Sequence, residues 1–298
     1  LAPLSKETGF LIRLNQACMM TISSILPDLK RLMDAAVAED IGAGDITTLG
    51  CVPENALMTA HLMARSPLVV AGLPWLQVLF AHVGADVTVR VDIQDGSMVD
   101  AGTSLAVFKG SARDILTYER ILLNILYVSC GIATTTRRYV NALQGYHTQL
   151  MDTRKTWPAL RAVSKYAAHL GGAVNHRRGL YDGIMIKDNH RGFLQDVPAT
   201  VAKLRQNHPR LPLIYECDTM DDVKTALAAG VDHLLLDNMS PEALRLAVAF
   251  VDQRATTEAS GGITLETLGA YAQTGVDYIS TSAITMNPQA VDLGLDQG

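Results

Sequence analysis

Cysteine is scarce in this chain: four residues in 298, at Cys18, Cys51, Cys130 and Cys217, with no two at metal-ligand or disulfide spacing. That scatter excludes a cysteine-built zinc site or a disulfide scaffold and fits reduced thiols in a cytoplasmic protein. No uninterrupted apolar run approaches the roughly 18 residues a membrane span requires, so no membrane partner is expected. Tandem repeats and low-complexity tracts are lacking as well. So is any excess of positive charge: 25 Lys and Arg stand against 30 Asp and Glu, a net charge of -5. Nucleic acid is therefore not expected as a partner. A signal-like apolar core is missing too, because Arg13 and Asn15 interrupt the mixed, aperiodic stretch before Cys18. Residues 1–19 are read as an extension or cloning remnant, with Met19 or Met20 as the expected native start.

What is present suits a well-packed enzyme. Hydrophobic residues make up 48% and charged residues 18% of the chain, which excludes disorder or a coiled coil. The length suggests about two domains. Ile25, Leu26, Leu29, Leu32, Met33, Ala36 and Val37 recur at helical spacing and open the fold. The Gly42-Ala43-Gly44 cluster that follows reads as a structural turn, since a lone G-x-G is weak evidence for a nucleotide. Residues 56–109 are rich in strand formers, such as Val87–Val91 and Leu105–Phe108, with turns at Asp95-Gly96 and Ala101-Gly102. A helix from Ser111 to about Ser129 then links the halves, with apolar residues on nearly all its faces. Arg120, beside Glu119, lies within it; taken alone, pairing with a carboxylate is favoured over pointing into a site.

The second half repeats one pattern. Leu150-Met151, Ile184–Ile186, Leu213–Tyr215, Leu234–Leu236, Thr257–Ala259 and Val276–Ile279 are short strand-like runs, and each ends in polar chemistry. Helical patterns such as Asp221–Ala229 and Pro241–Val251 lie between them, which predicts a parallel sheet. Polar groups at the C-terminal ends of six strands are what a β/α barrel supplies. A doubly wound sheet is the competing arrangement and would place its site at one switch point. Arg154, Lys155, His176, Arg177 and Lys187 follow the first runs, while Glu216 and Asp237 follow later ones. Cations gathered in a net-acidic chain point to a small ligand bearing phosphates or carboxylates. The expected organisation is an extension at 1–19, an N-terminal domain with its linking helix at 20–128, and a barrel at 129–286. Residues 287–298 form a C-terminal segment, for which a return to the N-terminal domain is one route.

D-T-R-K-T at 152–156, N-H-R-R-G-L at 175–180, I-K-D-N-H at 186–190, L-D-N at 236–238 and S-G-G-I at 260–263 resemble the quinolinate phosphoribosyltransferase family. E-R-I-L-L-N at 119–124 and G-I-A-T at 131–134 extend the resemblance over most of the chain. It implies an α/β fold, an N-terminal α/β sandwich followed by an open, incomplete β/α barrel. It also implies transfer of a phosphoribosyl group from phosphoribosyl pyrophosphate to quinolinate with loss of carbon dioxide. The product is nicotinate mononucleotide for NAD biosynthesis, and Mg2+ is the implied cofactor.

By the same resemblance, Arg154, Arg177 and His176 would meet quinolinate, and Lys155 and Lys187 the anionic groups of the substrates. Arg120 would reach a neighbouring subunit's site, so a homodimer or an assembly of dimers is implied. Glu216 and Asp237 would act near the ribose and metal, with Lys155 beside them in the catalytic set. Ser260, Gly261 and Gly262 would cradle the 5'-phosphate together with Ser280, Thr281 and Ser282. Two positions depart from the pattern: Ser282 stands where the family commonly has glycine, and Cys130 interrupts the usual S-G-I-A. A molybdate-transport-associated relative of the same fold is the alternative, to which the Thr281-Ser282-Ala283 segment leans.

Several neighbouring residues carry simpler readings. Asp152 serves either as a barrel-interior ion-pair partner or as a positioning group. His147, His169 and His208 are expected as surface or capping residues. Arg161, Lys165 and Arg178 are expected at helix or loop surfaces, with Arg178 a lesser candidate for the anion site. Trp157 is expected to pack beneath its loop.

Overall fold

The computed structural model describes residues 21–298. The extension read at 1–19 lies outside the described residues. By packing, the chain divides into two units. One runs up to Arg137 and adds Thr156–Gly172 and Ile284–Gly298; the other comprises Arg138–Lys155 and Ala173–Ala283.

The first unit opens with α1 (Ile22–Asp40). Thr21 starts it with a reciprocal cap: its hydroxyl accepts the Ser24 N–H at 3.2 Å, and Ser24 Oγ accepts the Thr21 N–H at 3.1 Å. Ile25, Leu29 and Met33 form its buried stripe. Gly42 and Gly44 both take positive φ, so the G-x-G is a turn, and Asp45 caps α2 (Ile46–Cys51). Next come β1 (Leu57–Ala64), β2 (Leu68–Val69), α3 (Leu73–Val83), β3 (Val87–Val91), β4 (Met98–Val99) and β5 (Ser104–Ser111). With β12 (Leu293–Gln297) they form a four-stranded antiparallel sheet in the order β12-β1-β5-β3, beside a separate β2-β4 pair. The C-terminal segment thus pairs along β1, from Ala60↔Gln297 to Ala64↔Leu293.

Helix α4 (Ala112–Ala142) is longer and less enclosed than the sequence suggested. Ile121, Leu122, Leu123, Ile125 and Leu126 are buried, whereas Leu116, Arg120 and Asn124, four residues apart, form an exposed stripe. The sequence boundary at 128/129 falls inside this helix, and its residues from Arg138 on count with the second unit.

Residues 161–171, within the bounds read as barrel, form helix α5 (Arg161–Gly171), which packs in the first unit. Tyr166 donates its hydroxyl to Asp95 at 2.8 Å, and its ring lies 5.3 Å from that of Trp75. Asp95 also accepts the Gly72 and Leu73 N–H groups at 2.8 and 3.0 Å, capping α3. Burial holds the Asp95 carboxyl above the usual carboxylate range despite these donors. Arg137 donates to the Gly171 carbonyl at 2.9 Å. Gly171 has to be glycine, because a Cβ there would lie 2.4 Å from Thr136 Cβ. Lys165, expected at a surface, is completely buried on this helix, whereas Trp157, expected under its loop, is 53% exposed.

Cys130 is buried, and its Sγ accepts the Ala71 N–H at 3.4 Å. The sterically tight position is the adjacent Gly131, where a Cβ would stand 2.7 Å from the Gln289 carbonyl oxygen. Burial pushes the Cys130 thiol up to about 12, and it raises that of Cys217 too. Of Cys51, Cys130 and Cys217, only exposed Cys51 should therefore react with iodoacetamide in the native protein at pH 8. Peptide mapping after labelling checks this; native modification of Cys130 would contradict its packing.

The second unit carries β6 (Gln149–Met151), β7 (Ile184–Ile186), α6 (Asp188–Arg191), α7 (Val197–Asn207), β8 (Leu213–Cys217) and α8 (Met220–Ala228). It continues with β9 (His233–Asp237), α9 (Pro241–Val251), β10 (Thr256–Ser260), α10 (Leu268–Ala272) and β11 (Tyr278–Ser280). All six strands run parallel in the order β6-β11-β10-β9-β8-β7. Consecutive strands β6 and β7 are the two edges, with the rest between them in reverse chain order. That is barrel order cut at one seam, not the central reversal of a doubly wound sheet. Met151 makes one further parallel bridge to Val174, and no described residue joins Val174 to β7, so the barrel is open.

Candidate active site

Register decides which groups share a face. Ser260 pairs with Asp237, Thr256 with His233 and Glu258 with Tyr278. Because side chains alternate with period two, Asp237, His233, Ser260 and Glu258 face the same side. Ile214 pairs with His233 and Glu216 with Leu235, which puts Glu216 there as well. Asp237 and Ser260 stand at the strand ends, with His233 and Glu258 deeper. A cavity of about 430 Å³ at the opposite end, lined by His147, Asp252, Thr256 and Asp277 among others, contains none of these strand-end groups.

The cationic side is built on the segments after β6 and Val174. Fully buried Asp152 accepts the Asn175 side-chain N–H and the His176 backbone N–H, both at 2.7 Å. It is a positioning group for the N-H-R segment, one of the two readings its sequence allowed. Arg177 is buried and donates to the Gly183 carbonyl at 2.9 Å and toward Met185 Sδ at 3.5 Å. Burial, then the nearby Arg154 charge, lowers the Arg177 pKa, against the pull of Asp182 and Glu216. Two guanidinium groups so placed gain from an anion between them. Asp182 accepts the Arg178 and Gly179 N–H groups at 2.7 and 2.9 Å and shapes the turn that follows.

Across the sheet, Lys187 Nζ pairs with the Glu216 carboxylate, and the Lys187 N–H donates to His190 Nδ1 at 2.9 Å. Asp237 titrates above the ordinary range because of burial first and the Glu216 charge second, with Ser260 donating a hydrogen bond and Lys187 pulling the other way. Arg191 pairs with both Asp218 and Asp222, bracing the helix that follows β7. The K-D-N-H run thus provides one cation for the site and, in His190, a residue that holds the turn, with Arg191 just after it bracing the helix.

The loop after β10 is shaped for close approach. Gly261 and Gly262 both have positive φ, and a Cβ on Gly261 would fall 2.2 Å from Asn238 Oδ1. Asn238, itself at φ 54, donates its N–H to the Ser260 carbonyl at 2.8 Å and its side-chain N–H to Asp237 at 2.7 Å. Ser280 and Thr281 are buried at the end of β11, and Thr281 donates to the Ile263 carbonyl at 2.8 Å. Among described non-glycine residues, positive φ occurs only at Ala159, Asn238, Asp252 and Gln253. Ser282 therefore needs none of a glycine's freedom, and the departure there leaves the backbone path intact.

The structure brings Arg154, Arg177, Lys187, Glu216, Asp237, Ser260–Gly262 and Ser280–Ser282 to the strand ends of one unit. Lys155 stands there too, exposed, with its N–H on Thr153 Oγ1 at 3.0 Å. Arg120 belongs to the other unit, on the exposed stripe of α4. His176 is buried, its Nδ1 accepting the Arg177 N–H at 2.7 Å. His147 and His169 are exposed and His208 ends α7, as surface and capping residues should.

Sequence reading missed Glu258 and His233. Both are fully buried, with His233 Nε2 2.6 Å from Glu258 Oε2 and His176 Nε2 3.5 Å from the same oxygen. Burial pushes the Glu258 carboxyl up, but His176 and His233 more than offset it and hold it well below the usual carboxylate range. The available signal was an acid inside an otherwise uncharged strand run.

An open parallel β/α barrel with cations, paired acids and a glycine loop at its strand ends defines an enzyme acting on anionic small molecules. Comparison with known proteins makes the class specific. Residues 45–130 match the model of the quinolinate phosphoribosyl transferase N-terminal domain, and residues 132–296 that of its C-terminal domain. The chain is 42% identical over 258 residues to a probable nicotinate-nucleotide pyrophosphorylase [carboxylating] of Synechocystis sp., covering 85% of this chain and 87% of that protein. It is 40% identical over 267 residues to the Mycobacterium leprae nicotinate-nucleotide pyrophosphorylase [carboxylating], covering 88% and 94%. The solved structure of the nicotinate-nucleotide pyrophosphorylase from Francisella tularensis superposes with a TM-score of 0.86 at 34% identity, covering 91% of this chain and 96% of that one. The chain belongs to the quinolinate phosphoribosyltransferase family. None of these relatives is named for molybdate transport, so nothing supports that alternative.

Proposed function

We propose that this enzyme transfers the phosphoribosyl group of phosphoribosyl pyrophosphate to quinolinate and releases pyrophosphate and carbon dioxide, leaving nicotinate mononucleotide for NAD biosynthesis. The observation that carries this reading is the Arg154–Arg177 pair, two neighbouring cations that suit two adjacent carboxylates on a flat ring. Ser260, Gly261 and Gly262 take the 5'-phosphate, with backbone N–H groups free to approach closely and Ser280, Thr281 and Ser282 alongside. Lys155 and Lys187 neutralise the pyrophosphate as it leaves. The quinolinate ring nitrogen attacks C1 of the ribose, so no protein nucleophile is required. Glu216 and Asp237 lie where positive charge develops on the ribose and stabilise it electrostatically. Once the ring nitrogen carries the ribose and is formally positive, the bond from C2 to its carboxylate breaks and carbon dioxide leaves; the cationic nitrogen stabilises the electron pair left on C2, which takes up a proton from solvent.

The donor set also fits Mg2+. Asp237 is held above the usual carboxylate range partly by the Glu216 charge, a repulsion that a divalent cation would relieve. No group of three or more metal-ligating residues occurs among the described residues, so Glu216 and Asp237 would share the ion with substrate oxygens. When bound, it would add positive charge against the pyrophosphate.

The reaction is tested by supplying quinolinate or nicotinate, each with phosphoribosyl pyrophosphate and Mg2+. Nicotinate mononucleotide should form from quinolinate and at most marginally from nicotinate, which leaves one guanidinium without a carboxylate. Equal turnover of both acids would contradict the reading.

The active unit is a dimer in this account, or an assembly of dimers, in the cytoplasm. Arg120 stands on an exposed stripe with Leu116, and Ile46, Leu49 and Leu57 of the same unit expose large apolar surface that a second copy would cover. Arg120→Ala mixed with Lys155→Ala tests whether Arg120 serves a partner's site. A hybrid dimer carries both lesions in one site and neither in the other, so subunit exchange should restore part of the activity. Exchange confirmed by labelled subunits without returning activity would place Arg120 outside the partner's site.

A further inference from the structure

Beneath the strand ends, His233, Glu258 and His176 form a buried series, and the transfer reading gives no part to His233 or Glu258. Glu258 Oε2 lies 2.6 Å from His233 Nε2 and 3.5 Å from His176 Nε2. His233 also stacks on Tyr278, with ring centroids 6.1 Å apart, which fixes the plane from which it donates. On the far side of the His176 ring, Nδ1 accepts the Arg177 backbone N–H at 2.7 Å. An imidazole nitrogen that accepts a hydrogen bond carries no proton, so the partners assign the ring proton to Nε2, the atom turned toward Glu258. The Glu258 carboxylate is hydrogen-bonded to His233 and stands at ion-pair distance from the protonated edge of the His176 ring, a place no neutral apolar side chain can take.

Consequences follow along the chain. Were His176 to take the other tautomer, its Nδ1–H would oppose the Arg177 N–H at 2.7 Å, donor against donor. The Arg177 backbone would then have to shift, and its guanidinium with it. Asp152 already clamps this segment through the His176 N–H. Glu258 supplies the second clamp, through the ring.

We propose that Glu258, seated on His233, is a positioning residue that holds His176 in its Nε2–H form and thereby aims Arg177 at the carboxylates of the acid substrate. The proposal rests on the reading of Arg177 as a quinolinate ligand. His176, which the family resemblance puts beside quinolinate, then also acts through Arg177. This role is of the kind that metal-ligating histidines require of the carboxylates behind them.

Calorimetric titration of wild type, Glu258→Leu and Glu258→Gln with quinolinate and, separately, with phosphoribosyl pyrophosphate tests this. Glu258→Leu removes the carboxylate facing His176 and should weaken quinolinate binding about tenfold. Phosphoribosyl pyrophosphate affinity should stay within about twofold, since its cradle is on other loops. Glu258→Gln keeps an oxygen at the shared position and should recover most of the quinolinate affinity. His233→Leu, which retains the carboxylate but removes its seat, should give a smaller loss confined to quinolinate, and it serves if Glu258→Leu does not fold. Unchanged quinolinate affinity in the folded variants overturns the proposal, and so does an equal loss for both ligands. A wild type that binds no quinolinate overturns the proposed function, and this inference with it.

Discussion

Arg177→Ala should lower quinolinate affinity by about ten- to a hundredfold, the range expected when a charge-assisted contact of ~1.5–3 kcal/mol is lost. The reason lies in its surroundings. Arg177 is buried, and its pKa is lowered by burial and by the Arg154 charge, so the protein holds two cations together at a cost that an anion repays. Arg154→Ala should act in the same direction. The double variant should lose less than the product of the two single effects, because removing one guanidinium relieves the repulsion on the other. Phosphoribosyl pyrophosphate should bind both single variants within about twofold of wild type, as expected for sites on separate loops. Calorimetry decides; unchanged quinolinate affinity in both variants would remove these arginines from the acid site.

A second large effect is expected at the acids. Glu216→Gln and Asp237→Asn should each reduce kcat by about a hundred- to a thousandfold, the usual consequence of removing one preorganised transition-state contact. KM for either substrate should change far less, because a group acting on charge that appears only during bond breaking adds little to ground-state binding. Glu216→Gln has a second consequence, since Lys187 loses its ionic partner and is freed for the leaving group. Its KM for phosphoribosyl pyrophosphate should accordingly fall, while that of Asp237→Asn does not. Near-normal kcat in either variant would exclude that residue from the mechanism.

Much of the barrel was readable from the chain because its signal is local. A short apolar run that ends in Glu216 or Asp237 records within a few residues both a buried strand and the face where its end emerges. Helix α5 shows where local signals stop. Its residues fall within the bounds read as barrel, but its attachment to Asp95 through Tyr166 joins residues 71 positions apart. For the same reason Lys165 looked like a surface cation, since a sequence window gives a charge but not what encloses it. The Glu258–His233 pair spans 25 positions and was passed over, because a strand containing one acid reads as a strand. Ser282 illustrates the converse: a departure from the expected glycine looked consequential, yet φ there lies outside the positive region. Motifs located the chemistry, whereas burial and register show what supports it.

The most direct measurement supplies quinolinate labelled in its 2-carboxylate, together with phosphoribosyl pyrophosphate and Mg2+, and counts labelled carbon dioxide, pyrophosphate and nicotinate mononucleotide in one sample. The account predicts the three in equal amounts, with no labelled gas when phosphoribosyl pyrophosphate is left out. Label retained in a nucleotide product, or gas released without phosphoribosyl pyrophosphate, would contradict it.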